Sequence, residues 1–380
     1  MKTRKILGQA SWRLRSSAVE AWLTCLGGHL GPVKFRLGKN WVQPYAVAPW
    51  AEEAGAKGLP AVLRALRGDF FCLPFGGPGD SPKKGESHPL HGDTANGLWR
   101  RPRLIRQGGR TTLRVEVRSR FPHGIVVKEI TLRDGHTAVY SRHLLSRIKG
   151  RVTFSHHPML QFPNRPGSGI ISTSAIRFGQ VRPGWPEDPT RTGYSALAPG
   201  VFFKSLRRVA RCGAGFDDLT RYPARLGYDD FALVASRSIG PFAWTTVTFP
   251  EEGYVWFALK DPTVLPSTLF WFANGGLHSS PANGRLRGLL GIEDIAGYFG
   301  SGMGPSLRAN PFSRRGQPTF ALLNPDKPLA INLIAGVSAI PRGFGRVSAI
   351  TDGDEKIVLI SGKYRVSCRI DHKFLSTRVR

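Results

Sequence analysis

The sequence predicts an all-β protein of many short antiparallel strands with few, short helices. Three observations carry this. Gly 45 and Pro 29 among 380 residues force the chain to turn often, which excludes a helical bundle. The apolar period, wherever it can be read, is two rather than 3.6. Strand, turn, strand recurs along the chain. With 41% hydrophobic and 21% charged residues there is material for a large core and no signature of disorder.

Taken in order, residues 1–15 have a basic start with no apolar stretch behind it, so they do not read as a signal peptide and are expected to fray. Residues 59–66 fit two helical turns, with Pro60 tolerated in the first. In residues 111–118, Leu113, Val115 and Val117 alternate with Arg114, Glu116 and Arg118, as in a strand with one wet face. Residues 125–132 form the next strand, Asp134-Gly135 the turn, and 137–140 lead away. Residues 242–249 and 254–259 form a hairpin across Glu251-Glu252-Gly253. Residues 292–299 read as a second brief helix. Residues 356–360 and 364–370 pair across Ser361-Gly362, with Tyr364, Val366, Cys368 and Ile370 on one face. Residues 76–97 and 164–200 read as long loops, and loops of that length tend to be functional. The basic tail, 372–380, is expected to fray. No internal repeat is evident, and one domain over 1–380 is expected.

No apolar run reaches the roughly eighteen residues a membrane helix needs, so no membrane partner is expected. Cys25, Cys72, Cys212 and Cys368 are scattered without a CxxC pair, which points to a reduced, cytoplasmic protein without a zinc cluster. The 54 basic and 26 acidic residues leave a net charge of +28. The arginines are spread along the chain, and no helix-turn-helix, zinc finger or RNA-recognition motif is present. Nucleic acid is therefore not the expected partner. There is no phosphate-loop spacing and no Gly-x-Ser-x-Gly elbow.

Three clusters carry candidate chemistry. The first runs from Arg67-Gly-Asp69 through Pro74-Phe75-Gly76 to His91-Gly92, Asn96 and Trp99. An arginine fork, a histidine that titrates near neutrality and a tryptophan face make a plausible sugar site. The second is His156-His157-Pro158; adjacent strand residues point to opposite faces, so the two imidazoles cannot both face one substrate. The third comprises Trp271, Asn274, Arg285 and Gly291-Ile-Glu293-Asp294. Glu293 is either a reacting carboxylate or a first-turn glutamate, and Asp294 a helix N-cap.

These motifs resemble the aldose 1-epimerases, most closely the glucose-6-phosphate 1-epimerase-like branch. Arg67, Gly68, Pro74, Phe75, Gly76, His91, Gly92 and Trp99 fall on matching positions. Asp69 replaces a glycine of the pattern, Asp93 replaces the phenylalanine after His-Gly, and Asn96 sits near a position often Arg or Asn. The resemblance implies the β-supersandwich of galactose mutarotase-like proteins and a sugar or phosphosugar ligand. It also implies anomer interconversion by protons alone, with no metal or organic cofactor. Glu293 would be the base and His157 the acid, with His91 positioning the sugar. Arg67, Asp69, Asn96, Trp99, Asn274 and Arg285 would bind it. The hydroxyl-binding aspartate stays open among Asp217, Asp218, Asp229 and Asp230. A non-catalytic carbohydrate-binding or sensing protein on the same fold is the alternative.

Overall fold

The computed structural model describes residues 1–79, 84–184, 194–237 and 239–377. Two large antiparallel sheets dominate. The first has nine strands, ordered Arg221–Tyr222, Gly169–Thr173, Ala243–Phe249, Tyr254–Lys260, Leu329–Ala339, Ala138–Ser146, His123–Arg133, Arg110–Arg120, Arg100–Gln107. The second has eight. Its path runs Phe202–Phe203, Ile176–Val181, Tyr228–Ser236, Ser267–Asn274, Leu289–Ala296, Phe154–His156, Phe71–Cys72, and Met159–Gln161 also pairs with Leu289–Ala296. The alternation read from sequence sets the registers. Leu113 lies opposite Ile130 and Val117 opposite Val126, with apolar side chains turned into the core between the sheets. The expected hairpins at 111–140, 242–259 and 356–370 all form.

A five-stranded sheet from the N-terminus adds Trp12, Leu14 and Phe35 to that core. The C-terminal three-stranded meander covers part of the outer face of the nine-stranded sheet, burying Ile357, Leu359, Cys368 and Ile370 against Tyr140, Trp244 and Phe257. The described helices α1 (Ala61–Ala65), α2 (Gly92–Asn96) and α3 (Met303–Leu307) have five residues each. All four cysteines are free thiols. No helix among the described residues is long and apolar enough to cross a membrane.

Several expectations are corrected. Residues 292–299 are not helical: they belong largely to the strand Leu289–Ala296, whose eight residues are all buried between neighbours on both sides. A strand covered on both faces loses its alternation and reads as a continuous apolar run. Asp294 is accordingly no N-cap; it meets Lys260 Nζ at 2.7 Å inside the sheet. Residues 164–200 are not one loop, since they hold the strands Gly169–Thr173 and Ile176–Val181, while 185–193 lie outside the described residues. Residues 76–97 contain α2, with 80–83 outside the description. Residues 1–15 are largely ordered: Arg4–Ile6 and Gln9–Arg15 pair as strands. At the other end, Asn332 donates its amide to the carbonyls of Phe374, Leu375 and Thr377, holding the 3₁₀ turn His372–Ser376 in place; 378–380 lie outside the described residues.

Candidate active site

On the face of the eight-stranded sheet turned away from the main core lies a cavity of about 330 Å³. Antiparallel pairing builds its floor. Glu293 sits directly across from Leu269, and Trp271 across from Gly291 on one side and Phe231 on the other. Glu293, Leu269, Trp271 and Phe231 all line the cavity. Gly291 leaves room here: a Cβ would crowd Trp271 Cβ at 3.1 Å and touch Glu293 Oε1 at 3.4 Å.

His157 reaches the same floor by a different route. Phe154–His156 pairs with the end of Leu289–Ala296, and Met159–Gln161 with its beginning. Between them His157-Pro158 interrupts the ladder, since proline has no N–H to contribute, and Pro158 instead accepts a bond from Ile292 N–H. The interruption puts His157 Nε2 3.4 Å from Glu293 Oε1. The backbone N–H of His157 donates to Asp69 Oδ1 at 3.0 Å, and Phe70 stacks on the ring at 4.4 Å. His156 turns to the opposite face, against Phe71 and His143, as strand alternation requires.

His91 caps α2 with left-handed backbone, φ 62°. Its Nδ1 accepts a bond from Gly76 N–H at 3.3 Å, which leaves the proton of the neutral ring on Nε2. The ring meets His157 edge to face at 5.2 Å. Arg182 lines the same cavity, its guanidinium 5.4 Å from the Phe231 ring.

Burial governs the electrostatics. It raises Glu293 well above the usual carboxylate value, with the Arg182 charge acting in the opposite direction. It lowers His157 well below the usual imidazole value, helped by His91 and His29. It lowers His91 to about 3. A charged form loses its hydration here, so both histidines favour the neutral ring and Glu293 the protonated carboxyl.

Thus Glu293, His157, His91 and Trp271 are brought together at one cavity, while Arg67, Asp69, Asn96, Trp99, Asn274 and Arg285 do not line it. Arg67 is fully buried and donates to the carbonyls of Ala65, Ile6 and Leu7, clamping the N-terminal turn. Asp69 lies behind His157, holding its backbone and facing His156 Nδ1 at 3.4 Å. Asn96 ties α2 to α1 through Val62 N–H and the carbonyls of Leu90 and Gly92. Trp99 is buried, its indole donating to Thr94 O. Asn274 binds Arg225 O and Gly288 N–H and faces a second cavity. Arg285 stands near the rim, paired with Glu53 and 5.9 Å from the ring of Trp50, which does line the cavity. Arg67, Asp69, Asn96, Trp99 and Asn274 thus spend their polar groups on backbone N–H and C=O groups.

None of the four candidate aspartates lines the cavity. Asp217, Asp218 and Asp230 face the second one. Asp229 accepts bonds from Trp271 Nε1, Asn274 N–H and Gly276 N–H, and so fixes the indole of the cavity wall. The sequence reading missed Trp50, Phe231 and Arg182. Arg182 follows a short apolar strand inside the stretch read as loop, and a strand assignment there would have pointed to it.

No family model matches the chain, and no curated protein sequence does. Solved structures do match. An aldose 1-epimerase-like protein from Escherichia coli K12 is 15% identical with a TM-score of 0.55, covering 88% of this chain and 100% of its own. One from Klebsiella pneumoniae subsp. pneumoniae is 12% identical with a TM-score of 0.56, covering 88% and 80%. A galactose mutarotase related enzyme from Lactobacillus acidophilus is 10% identical with a TM-score of 0.52, covering 87% and 99%. The chain therefore has the galactose mutarotase-like β-sandwich fold.

Proposed function

We propose that the protein is an aldose 1-epimerase-like enzyme that interconverts the anomers of a sugar at the cavity floored by Glu293 and His157. The observation that supports this most is the approach of a buried carboxylate to a buried imidazole, 3.4 Å apart, beside a second neutral histidine. The pair's single proton rests on Glu293, and the reacting form is the one in which it has passed across the 3.4 Å gap to His157. Glu293 then takes the proton of the anomeric hydroxyl as the C1–O1 double bond forms and the C1–O5 bond breaks. His157 gives a proton to O5. Rotation about C1–C2 followed by the reverse transfers returns each proton to its owner and yields the other anomer. The Nε2–H of His91 is a hydrogen-bond donor for a sugar oxygen, and the faces of Trp271 and Trp50 offer apolar surface to a pyranose ring.

The positive surplus is not gathered at the cavity: among the described lining residues Arg182 is the one guanidinium, and there is no lysine. The reading is therefore for an aldose, with no requirement for a phosphate. NMR saturation transfer between anomers, run on aldoses and their 6-phosphates, tests it. Exchange faster than in buffer with at least one aldose is expected. Binding of a sugar without any acceleration would replace the enzyme by a sugar-binding protein.

A further inference from the structure

The cavity does not account for the net charge of +28, so the surplus must be sought on the surface. It is densest on the edge hairpin of the nine-stranded sheet, Arg100–Gln107 and Arg110–Arg120. Residues 100–120 hold eight arginines and one acid, Glu116. Arg101 pairs with Glu116, Arg114 with Glu129 and Arg120 with Asp93. Arg100, Arg103, Arg106, Arg110 and Arg118 are exposed and have no carboxylate partner among the described residues.

The register decides where these charges point. Leu113, Val115 and Val117 face the core, so Arg110, Arg114 and Arg118 face outward. Arg103 pairs with Arg114 and Arg100 with Glu116, which puts both on the same outer face. Along the inner strand of the hairpin the arginines recur every four residues, roughly 14 Å apart at about 3.4 Å per residue. The C-terminal meander covers this sheet over its Tyr140, Trp244 and Phe257, not over the arginine hairpin, whose outer strand is an open edge. Unpaired like charges at this density repel one another, so a linear polyanion lying along the sheet is the partner that relieves them.

We propose that this hairpin face is a docking surface for a linear acidic polysaccharide, whose carboxylate or sulfate groups the arginine forks would grip. The three described α-helices have five residues each, too short to enter a DNA groove as recognition helices, and the hairpin presents no aromatic ring for bases to stack on. Ile105 is its single large exposed apolar side chain, a slender anchor for a membrane surface. The preference for a polysaccharide over other polyanions rests on the sugar reading of the cavity. The test therefore measures binding alone, with anomer exchange run in parallel.

The full chain is titrated at 150 mM salt with polygalacturonate, heparin, neutral dextran, a random-sequence DNA duplex and phosphatidylglycerol vesicles. Binding to one or both acidic polysaccharides and not to dextran is expected. The R103E/R110E/R118E variant should lose at least about tenfold in affinity and show a shallower salt dependence. R15E/K34E/K39E, the same charge change made at exposed positions elsewhere, should stay within about twofold. If the glutamates disturb the edge strand, R103Q/R110Q/R118Q serves in their place, with melting curves as the check. Equal losses in both sets, or no binding to either acidic polysaccharide, would overturn the proposal. So would DNA or vesicle binding tighter than polysaccharide binding. A wild-type chain that binds neither acidic polysaccharide yet accelerates anomer exchange would remove the surface and leave the cavity reading standing.

Discussion

Burial pushes Glu293 and His157 in opposite directions, and this sets the pH range over which the pair holds a single proton. A second proton must go onto an imidazole whose pKa lies below 6.5, and the last must leave a carboxyl whose pKa lies above 4.5. The singly protonated pair is the form that carries one donor and one acceptor. Anomer exchange should therefore follow a bell in pH, with its acid limb below the usual histidine value and its alkaline limb well above the usual glutamate value. A single limb near pH 4.5 with a flat rate above it would show that Glu293 ionises as an ordinary carboxylate. Arg67 tests the opposite kind of claim. Its three bonds to backbone carbonyls are structural, so Arg67→Ala should destabilise the fold by about 2–4 kcal/mol in urea melts. The exchange rate per folded molecule should stay near wild type, and loss of rate without loss of stability would return Arg67 to the sugar site.

The elements that build the site are the ones whose local signals conflict with their surroundings. Leu289–Ala296 contains Glu293 and Asp294 within an apolar run, and locally that suits a capped helix as well as a strand. What decides for the strand is non-local: ladders to Ser267–Asn274 on one side and to Phe154–His156 and Met159–Gln161 on the other. Gly291 belongs to the same logic. Gly291→Ala should push Trp271 and Glu293 apart, costing about 1–3 kcal/mol as overpacking and lowering exchange more than stability alone explains. Unchanged exchange in a fully folded variant would detach Trp271 from the site. The wet-faced hairpins were legible because alternation is a local signal. Glu293, His157 and His91 were legible through the motifs that flank them. Arg67, Asp69, Asn96 and Trp99 share those motifs but spend their polar groups on carbonyls and amides far away in sequence. Sequence cannot separate a polar group facing a ligand from one facing a distant backbone.

Among the described residues, the buried imidazoles of His29, His136, His143 and His157 and the half-buried His91 have folded-state pKa values lowered chiefly by loss of hydration, His29 and His91 to about 3. In the unfolded chain they protonate near 6.5, so each contributes stability that rises with pH up to that value and is lost in acid. Asp229 and Asp230, raised to about 7 and about 6, act the other way, lowering stability as pH rises through that range. The two sets oppose each other between about pH 4 and 6.5, and below that the histidines act without opposition from the two aspartates. Stability should then fall off steeply below about pH 4. His143 isolates the effect: it stacks on Phe71 at 3.9 Å, and neither ring nitrogen has a hydrogen-bond partner among the described residues. His143→Phe should gain stability over wild type at pH 4–5 and change little at pH 8. A gain of the same size at both pH values would mean packing, not protonation, sets the difference.

The proposed reaction needs Glu293 and His157 to work as one acid–base pair. Anomer exchange on the best aldose of the panel, for wild type, Glu293→Gln and His157→Asn, with sugar affinity measured on the same samples, tests that most directly. Both variants should bind the sugar and lose exchange by about 10²–10⁴-fold. Wild-type exchange rates in Glu293→Gln would contradict the account.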